Sequence, residues 1–232
     1  MSIIGLNNTE HKDLEVNPRY VLKYMAEVHM VPVIVNECAH VGSDAPVVFV
    51  KNQDTGQFQM VALYGLAPGE NVFARNGEWM AMSLPLVAQC MPFKLISDAD
   101  DPDRMMIGID DTSPFIDGEE GEALFDANGE ETEFLKSRKE LLGQYYEGGR
   151  ATQAFVNLLS EMNLLAQREL KINADGAKTD IAGLYCIDEE KLGQLSTDDF
   201  EKLRSSGFLP VVYAQLMSMT QIRRLTRLSA RV

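Results

Sequence analysis

The chain has 232 residues, 45% of them apolar and 24% charged, which is enough to bury a core as one large domain or two small ones. Thirty-five acids against 21 bases give a formal charge of −14 and a pI near 4.6, which disfavours nonspecific binding to nucleic acid or to an anionic membrane surface. No uncharged apolar stretch reaches the ~20 residues that a bilayer span needs.

The N-terminal segment "MSIIGLNNTEHKDLEV" has neither a basic n-region nor a long apolar h-region, so a soluble protein made in the cytoplasm is expected. Asn17-Pro18 is a good cap and first-turn pair, and Val21, Tyr24, Met25 and Val28 recur at helical spacing, predicting a helix over 18–29. From Val31 the pattern changes to short β-branched and aromatic runs. Strands are predicted near 31–36, 46–51 and 58–64, the last two forming a hairpin around Asp54, Thr55 and Gly56. A short strand at 71–74 follows between two turn signals, Pro68-Gly69 and Asn76-Gly77, of which Asn-Gly is the stronger hairpin signal. "PLVAQCMPFKL", bounded by Pro85 and Pro92, has room for at most two helical turns.

Residues 98–133 hold fourteen acids against the single base Arg104, a balance of −13 that is nearly the whole charge of the protein. A solvated loop region interrupted by one strand, "RMMIGI", accounts for this composition. Beyond it the chain reads as mostly helical. "EFLKSRKELLGQYY" presents Phe134, Leu141, Leu142 and Tyr145 on one face and is expected to stop at Gly148-Gly149. Phe155, Leu158, Leu159, Met162, Leu165 and Ala166 form the stripe of the next helix. A β-hairpin over about 169–187 is expected around Asp175-Gly176. Ser196 with Asp199 opens a further helix that ends at Gly207, and a last helix spans about 211–228. Its four arginines complement a helix C-terminus without requiring a ligand.

The densest cluster of reactive side chains is "ECAH", Glu37, Cys38 and His40. Read as the end of a strand, Cys38 and His40 share a face and Glu37 points away. Zinc needs three or four ligands, often in close pairs, and no second pair stands elsewhere: His11, His29, Cys90 and Cys186 are each isolated. The three cysteines are far apart, so reduced buried thiols are expected rather than a disulfide scaffold. EF-hand registers fail at Pro102 when counted from Asp98, and at Glu131 and Ser137 when counted from Asp126. No phosphate-cradling loop, nucleophile elbow or dinucleotide fingerprint occurs. Trp79, the only tryptophan, lies near Phe73 and the glycine turns; core packing is the commoner use of such a residue, a binding surface the alternative.

The order of motifs resembles the SapC family of Gram-negative bacterial proteins. The likeness is carried by "LNNTEHKDLEV", "VPVIVNECAHVGSDAPVVFV", "ALYGLAPGENVFARNGEWMAMSLPLVAQCMPFKL", "LFDANGEETEFL" and "LYCIDEEKLGQL", over about residues 5–228. Met82-Ser83 stand where the family pattern has an aromatic before the proline, and Gln89-Cys90 where it has arginines. Glu37 fits the pattern and Cys38 is not demanded by it. The resemblance implies association with a surface layer or its export, in a family often encountered near outer-membrane receptors and flavin-dependent halogenases, and it supplies no established catalytic residues.

The expectation is therefore an α+β protein: one domain over 1–232, β-rich over 30–115, helical over 134–228, with an antiparallel sheet packed on C-terminal helices. The function expected is that of a non-enzymatic accessory or ligand-binding protein of the envelope, surface layer or nutrient uptake. Its partners would be a peptide, a small molecule or envelope and transport proteins, with no nucleic acid, membrane insertion, metal or cofactor. The candidate binding site is Glu37, Gly69, Glu70, Asn71 and Trp79. The alternative is an enzyme modifying amino acids or peptides, with Glu37 as its acid or base. An assembly of several copies, the Arg-rich tail of one meeting the acidic segment of the next, is a third reading.

Overall fold

A computed structural model describes residues 3–97, 105–116, 121–174 and 177–230. The half of the acidic segment that falls in 98–104 and 117–120, and the Asp175-Gly176 turn, lie outside the described residues. In chain order the first elements are β1 (Ile4–Gly5), β2 (Glu15–Val16), α1 (Tyr20–Met25), β3 (Met30–Pro32), α2 (Cys38–Gly42), β4 (Val47–Lys51) and β5 (Phe58–Leu63). There follow β6 (Ala74–Arg75), β7 (Glu78–Trp79), α3 (Leu86–Gln89), β8 (Phe93–Ser97), β9 (Met105–Ile109), β10 (Glu122–Ala123) and the long α4 (Glu133–Glu161). The chain closes with β11 (Leu165–Ala174), β12 (Ala177–Ile187), α5 (Glu189–Gly193), α6 (Thr197–Ser205), α7 (Leu209–Ser218) and, after a 3₁₀ turn, α8 (Ile222–Ser229). Antiparallel sheets with helices toward the C-terminus make this an α+β protein.

These elements divide into two compact units. The first comprises residues 1–24 and 86–147. Its three-stranded antiparallel sheet, order β1-β9-β8, and the small β2–β10 pair enclose a core of Val16, Phe93, Ile109, Phe115, Leu124 and Leu135. The β8 strand, which was not expected from the sequence, pairs along its full length with "MMIGI" from Phe93↔Ile109 to Ser97↔Met105.

The second unit comprises residues 25–85 and 148–232 and is built on a five-stranded antiparallel sheet, order β11-β12-β4-β5-β3. Val47, Val48 and Phe49 of β4 are all fully buried, which is why "VVFV" reads as a continuous apolar run: the strand is covered on both faces. Phe155 of α4 links two aromatic neighbours, 6.3 Å from Phe49 and 5.2 Å from Phe208. A buried side chain also completes the sheet. Gln215 of α7 donates from Nε2 to Val47 O at 2.9 Å and accepts from Ile187 N at 3.3 Å. It thus stands in for a backbone rung just past the Leu184↔Val50 and Tyr185↔Phe49 pairs.

Several local expectations are corrected. The strand expected over 31–36 ends at Pro32, and "ECAH" falls at the first turns of α2 instead. On a helix, residues two apart point to nearly opposite sides, so Cys38 and His40 do not share a face: Cys38 is buried and His40 exposed. The helix expected over 18–29 spans only Tyr20–Met25. Glycines 148 and 149 do not end a helix; α4 runs through them for 29 residues. The reason is a close approach. A Cβ on Gly148 would stand 2.3 Å from Ile34 Cδ1 and 3.0 Å from Asn36 Oδ1, so the missing side chain lets residues 33–36 lie against the helix. One turn later Thr152 Oγ1 accepts from Val35 N at 2.9 Å. Leu165 and Ala166, assigned by periodicity to the helical stripe, begin β11.

Candidate functional site

In the second unit β5 delivers Tyr64 into the core, fully buried, and the chain must then turn twice to reach α3. The first turn is organised by Asn71. Its Oδ1 accepts from Phe73 N (2.9 Å) and Ala74 N (3.2 Å), while Nδ2 donates to Met25 O (2.8 Å) and Val28 O (3.1 Å). All four bonds that a carboxamide has available in this geometry are used, and α1 ends where its last carbonyl meets this amide. The second turn is the Asn76-Gly77 hairpin, both residues with positive φ (54° and 76°) as a tight primed turn requires.

The hairpin folds Trp79 back over Tyr64. Tyr64 meets Trp79 at 5.1 Å and Phe73 at 5.4 Å, both edge-on, and Phe73 and Trp79 lie 6.5 Å apart. Such tilted contacts are the favoured arrangement of aromatic quadrupoles. Phe73 is buried and Trp79 half-buried, so the trio runs from the core to the surface. Residues 80–84 form a strap past Trp79, tied at two points: Trp79 Nε1 donates to Ser83 O at 3.0 Å, and Met82 N donates to Asp44 Oδ2 at 2.6 Å. Met80 and Met82 of this strap project into solvent, the latter 89% exposed.

Beneath the strap lies an ion pair. The buried Asp44 carboxylate binds the guanidinium of Arg224, which also sits 5.2 Å above the Phe73 ring. Arg224 therefore reaches across the fold instead of serving its own helix end. The C-terminal carbonyl of α8 at Leu228 is met by Arg75 at 2.7 Å. Two hydroxyls in this region, Tyr64 Oη and Ser83 Oγ, are buried without a hydrogen-bond partner among the described residues. Burial, reinforced by the Glu37 and Asp44 carboxylates, pushes the Tyr64 phenol well above its ordinary range.

The sequence-derived candidates fall around this constellation as follows. Trp79 is part of it. Glu37 precedes α2, acts electrostatically on Tyr64 and accepts from Ile34 N at 3.1 Å. Glu70 accepts from Leu66 N at 3.2 Å and packs over Gly65, where a Cβ would fall 2.1 Å from Glu70 O. Gly69 is exposed with φ +83°. Asn71 is buried, and its side chain is committed to the backbone. Burial, with the Glu37 charge second, raises the Cys38 thiol to about 12; a thiol so placed is a poor nucleophile and a poor metal ligand. Among the described residues no group of three or more His, Cys, Asp or Glu side chains is placed to hold a metal ion. Asp44, Tyr64 and Arg224 escaped the sequence reading, since nothing local marks an ion pair between residues 180 positions apart.

Comparison with known proteins gives one match. The family profile described as SapC matches residues 6–225, nearly the whole chain and parts of both units. No curated protein and no solved structure matches.

Proposed function

The chain belongs to the SapC family, and from that premise we propose that it is a non-enzymatic accessory protein of the envelope or of nutrient uptake that recognises a peptide or small molecule. The observation that carries this reading is the surface at Trp79. A half-buried tryptophan rests on buried Tyr64 and Phe73, beside two outward methionines on a strap tied at Met82 and Ser83. Large apolar side chains held out on a rigid support favour recognition: the ring loses little conformational freedom on binding, and its support is already desolvated.

In this reading Trp79 supplies the contact area. Gly69 and Glu70 form the neighbouring loop, Glu37 supplies negative charge toward Tyr64, and Asn71 holds the loop in place without touching the ligand. Glu37 already accepts a backbone hydrogen bond, which favours a fixed electrostatic role over proton transfer.

Because Trp79 is the only tryptophan, its fluorescence reports this surface alone. Titration with short peptides, oligosaccharides and aromatic metabolites is expected to give a saturable change with one of these classes, weakened at least tenfold by Met82→Glu. A flat response to all three classes would remove the proposal.

A further inference from the structure

Beside the Trp79 surface stands a guanidinium whose hydrogen-bonding capacity the fold uses only in part. Arg224 bonds the buried Asp44 carboxylate through Nη1, and its planar group lies 5.2 Å from the centre of the Phe73 ring. Its Nε and Nη2 groups bond no described residue, and 34% of the side chain is exposed. A guanidinium has five N–H donors in a rigid fork and no acceptor, so most of this fork is open. Two contacts join it to the Trp79 surface. The Phe73 ring lies 6.5 Å from Trp79, and Asp44, which holds Arg224 on Oδ1, holds the strap at Met82 N on Oδ2. An arginine already oriented by two fixed neighbours loses little freedom when an anion arrives.

The surroundings of Arg224 are cationic. Its helix α8 contains no acid, and Arg223 and Arg227 on the same helix are exposed and make no ion pair with a described residue. Arg75 of the Trp79 hairpin binds the Leu228 carbonyl at the end of that helix. Against these four arginines stand three carboxylates: Asp44, Glu78 across the hairpin from Arg75, and Glu37, which accepts from Ile34 N. Only Asp44 is bonded to an arginine. Tyr64 Oη and Ser83 Oγ, buried with no partner among the described residues, add donor capacity in the same region. Donors are in surplus here, and what the region lacks is an acceptor.

On the premise that the Trp79 surface binds a ligand, we propose that this ligand is a carboxylate carried on an apolar body. The body lies against Trp79 and the outward Met82, and the carboxylate pairs with the open edge of Arg224. A planar carboxylate matches that edge with two parallel N–H···O bonds, which a neutral amide cannot reproduce. Asp44 stays bonded throughout as a positioning residue that keeps the fork turned outward. Arg223 and Arg227 add a longer-range attraction that salt screens. A free organic acid and the C-terminus of a peptide share this chemistry.

The test titrates the full chain with two acid–amide pairs and reads Trp79 fluorescence. One pair is the tripeptide N-acetyl-Ala-Leu-Phe with a free or an amidated C-terminus; the other is phenylacetate and phenylacetamide. In at least one pair the acid is expected to bind about tenfold or more tighter than its amide, the scale of a charge-assisted hydrogen bond. Which pair saturates separates a peptide end from a free acid. Arg224→Lys, which keeps a cation beside Asp44 but loses the fork, is expected to cut that advantage several-fold; circular dichroism checks its fold. Should that variant not fold, Arg223→Gln combined with Arg227→Gln, both at exposed positions, replaces it and is expected to cut the advantage several-fold at low ionic strength. Equal affinity for acid and amide overturns the proposal while leaving Trp79 a binding surface, whereas a flat response to every probe overturns both. An acid preference untouched by the arginine substitutions overturns the assignment to Arg224.

Discussion

Replacing Asn71 with leucine tests whether the loop that carries Glu70 and leads to Trp79 is held by one side chain. The substitution keeps the number and branching of the side-chain heavy atoms and removes both the acceptor and the donor of the carboxamide. Phe73 N and Ala74 N then lose their acceptor inside a region where Phe73 is fully buried and Ala74 is 8% exposed. Val28 O loses its donor, whereas Met25 O keeps a second one, Val28 N at 3.1 Å. A buried polar group left without a partner costs about 1–3 kcal/mol. Two amides and one partly buried carbonyl, with some relaxation of an exposed loop, give about 3–5 kcal/mol, a large share of the ~5–15 kcal/mol that domains possess. The assay is urea unfolding followed by Trp79 fluorescence, which reports the unit containing the substitution. Asn71→Asp keeps the two acceptor positions but turns an acceptor toward Met25 O and Val28 O, and is expected to cost a similar amount at neutral pH. A loss below about 1 kcal/mol for Asn71→Leu would show that the loop is held by other contacts, and Asn71 would return to consideration as a ligand contact.

Three further outcomes follow from the packing. Gln215→Leu leaves Val47 O and Ile187 N without the side chain that joins β4 to β12, so a loss of about 2–4 kcal/mol is expected, with faster amide exchange at Ile187. An alanine at Gly149 meets nothing within 4 Å and should stabilise by up to about 1 kcal/mol through helix propensity. At Gly148 the same change meets Ile34 Cδ1 at 2.3 Å, and the ~1–3 kcal/mol cost of overpacking should cancel or reverse that gain; equal melting temperatures for the two variants would contradict the close approach. With its thiol raised to about 12, Cys38 should remain unalkylated by iodoacetamide at pH 8 in the folded protein and react on unfolding. Rapid labelling under native conditions, mapped by mass spectrometry, would contradict its burial.

Features written into neighbouring residues are legible without the fold. The Asn76-Gly77 turn, the Ser196 cap whose Oγ accepts from Asp199 N, the positive φ of Gly56 and Gly207 and the β4–β5 hairpin each depend on interactions a few positions long. They lie where the sequence expects them. The family pattern is legible for a related reason, since it records the order of such segments. Gly148 shows the limit. Its local signal, a glycine pair at the end of an apolar stripe, points to a helix stop, yet its use is set by Ile34, more than a hundred residues earlier. The Glu-Cys-Ala-His stretch misleads in the same way, because whether it is strand or helix depends on what covers residues 33–42.

The sequence alone therefore determines the class of fold, the turns, the buried thiols and the acidic balance, since propensity, capping and burial preference act within a few residues of each side chain. Which side chains meet was decided only by tertiary structure: Arg224 with Asp44, Gln215 between Val47 and Ile187, and Trp79 on Tyr64. These pairings join side chains on separate elements and are set by how those elements pack, which no short stretch of residues encodes.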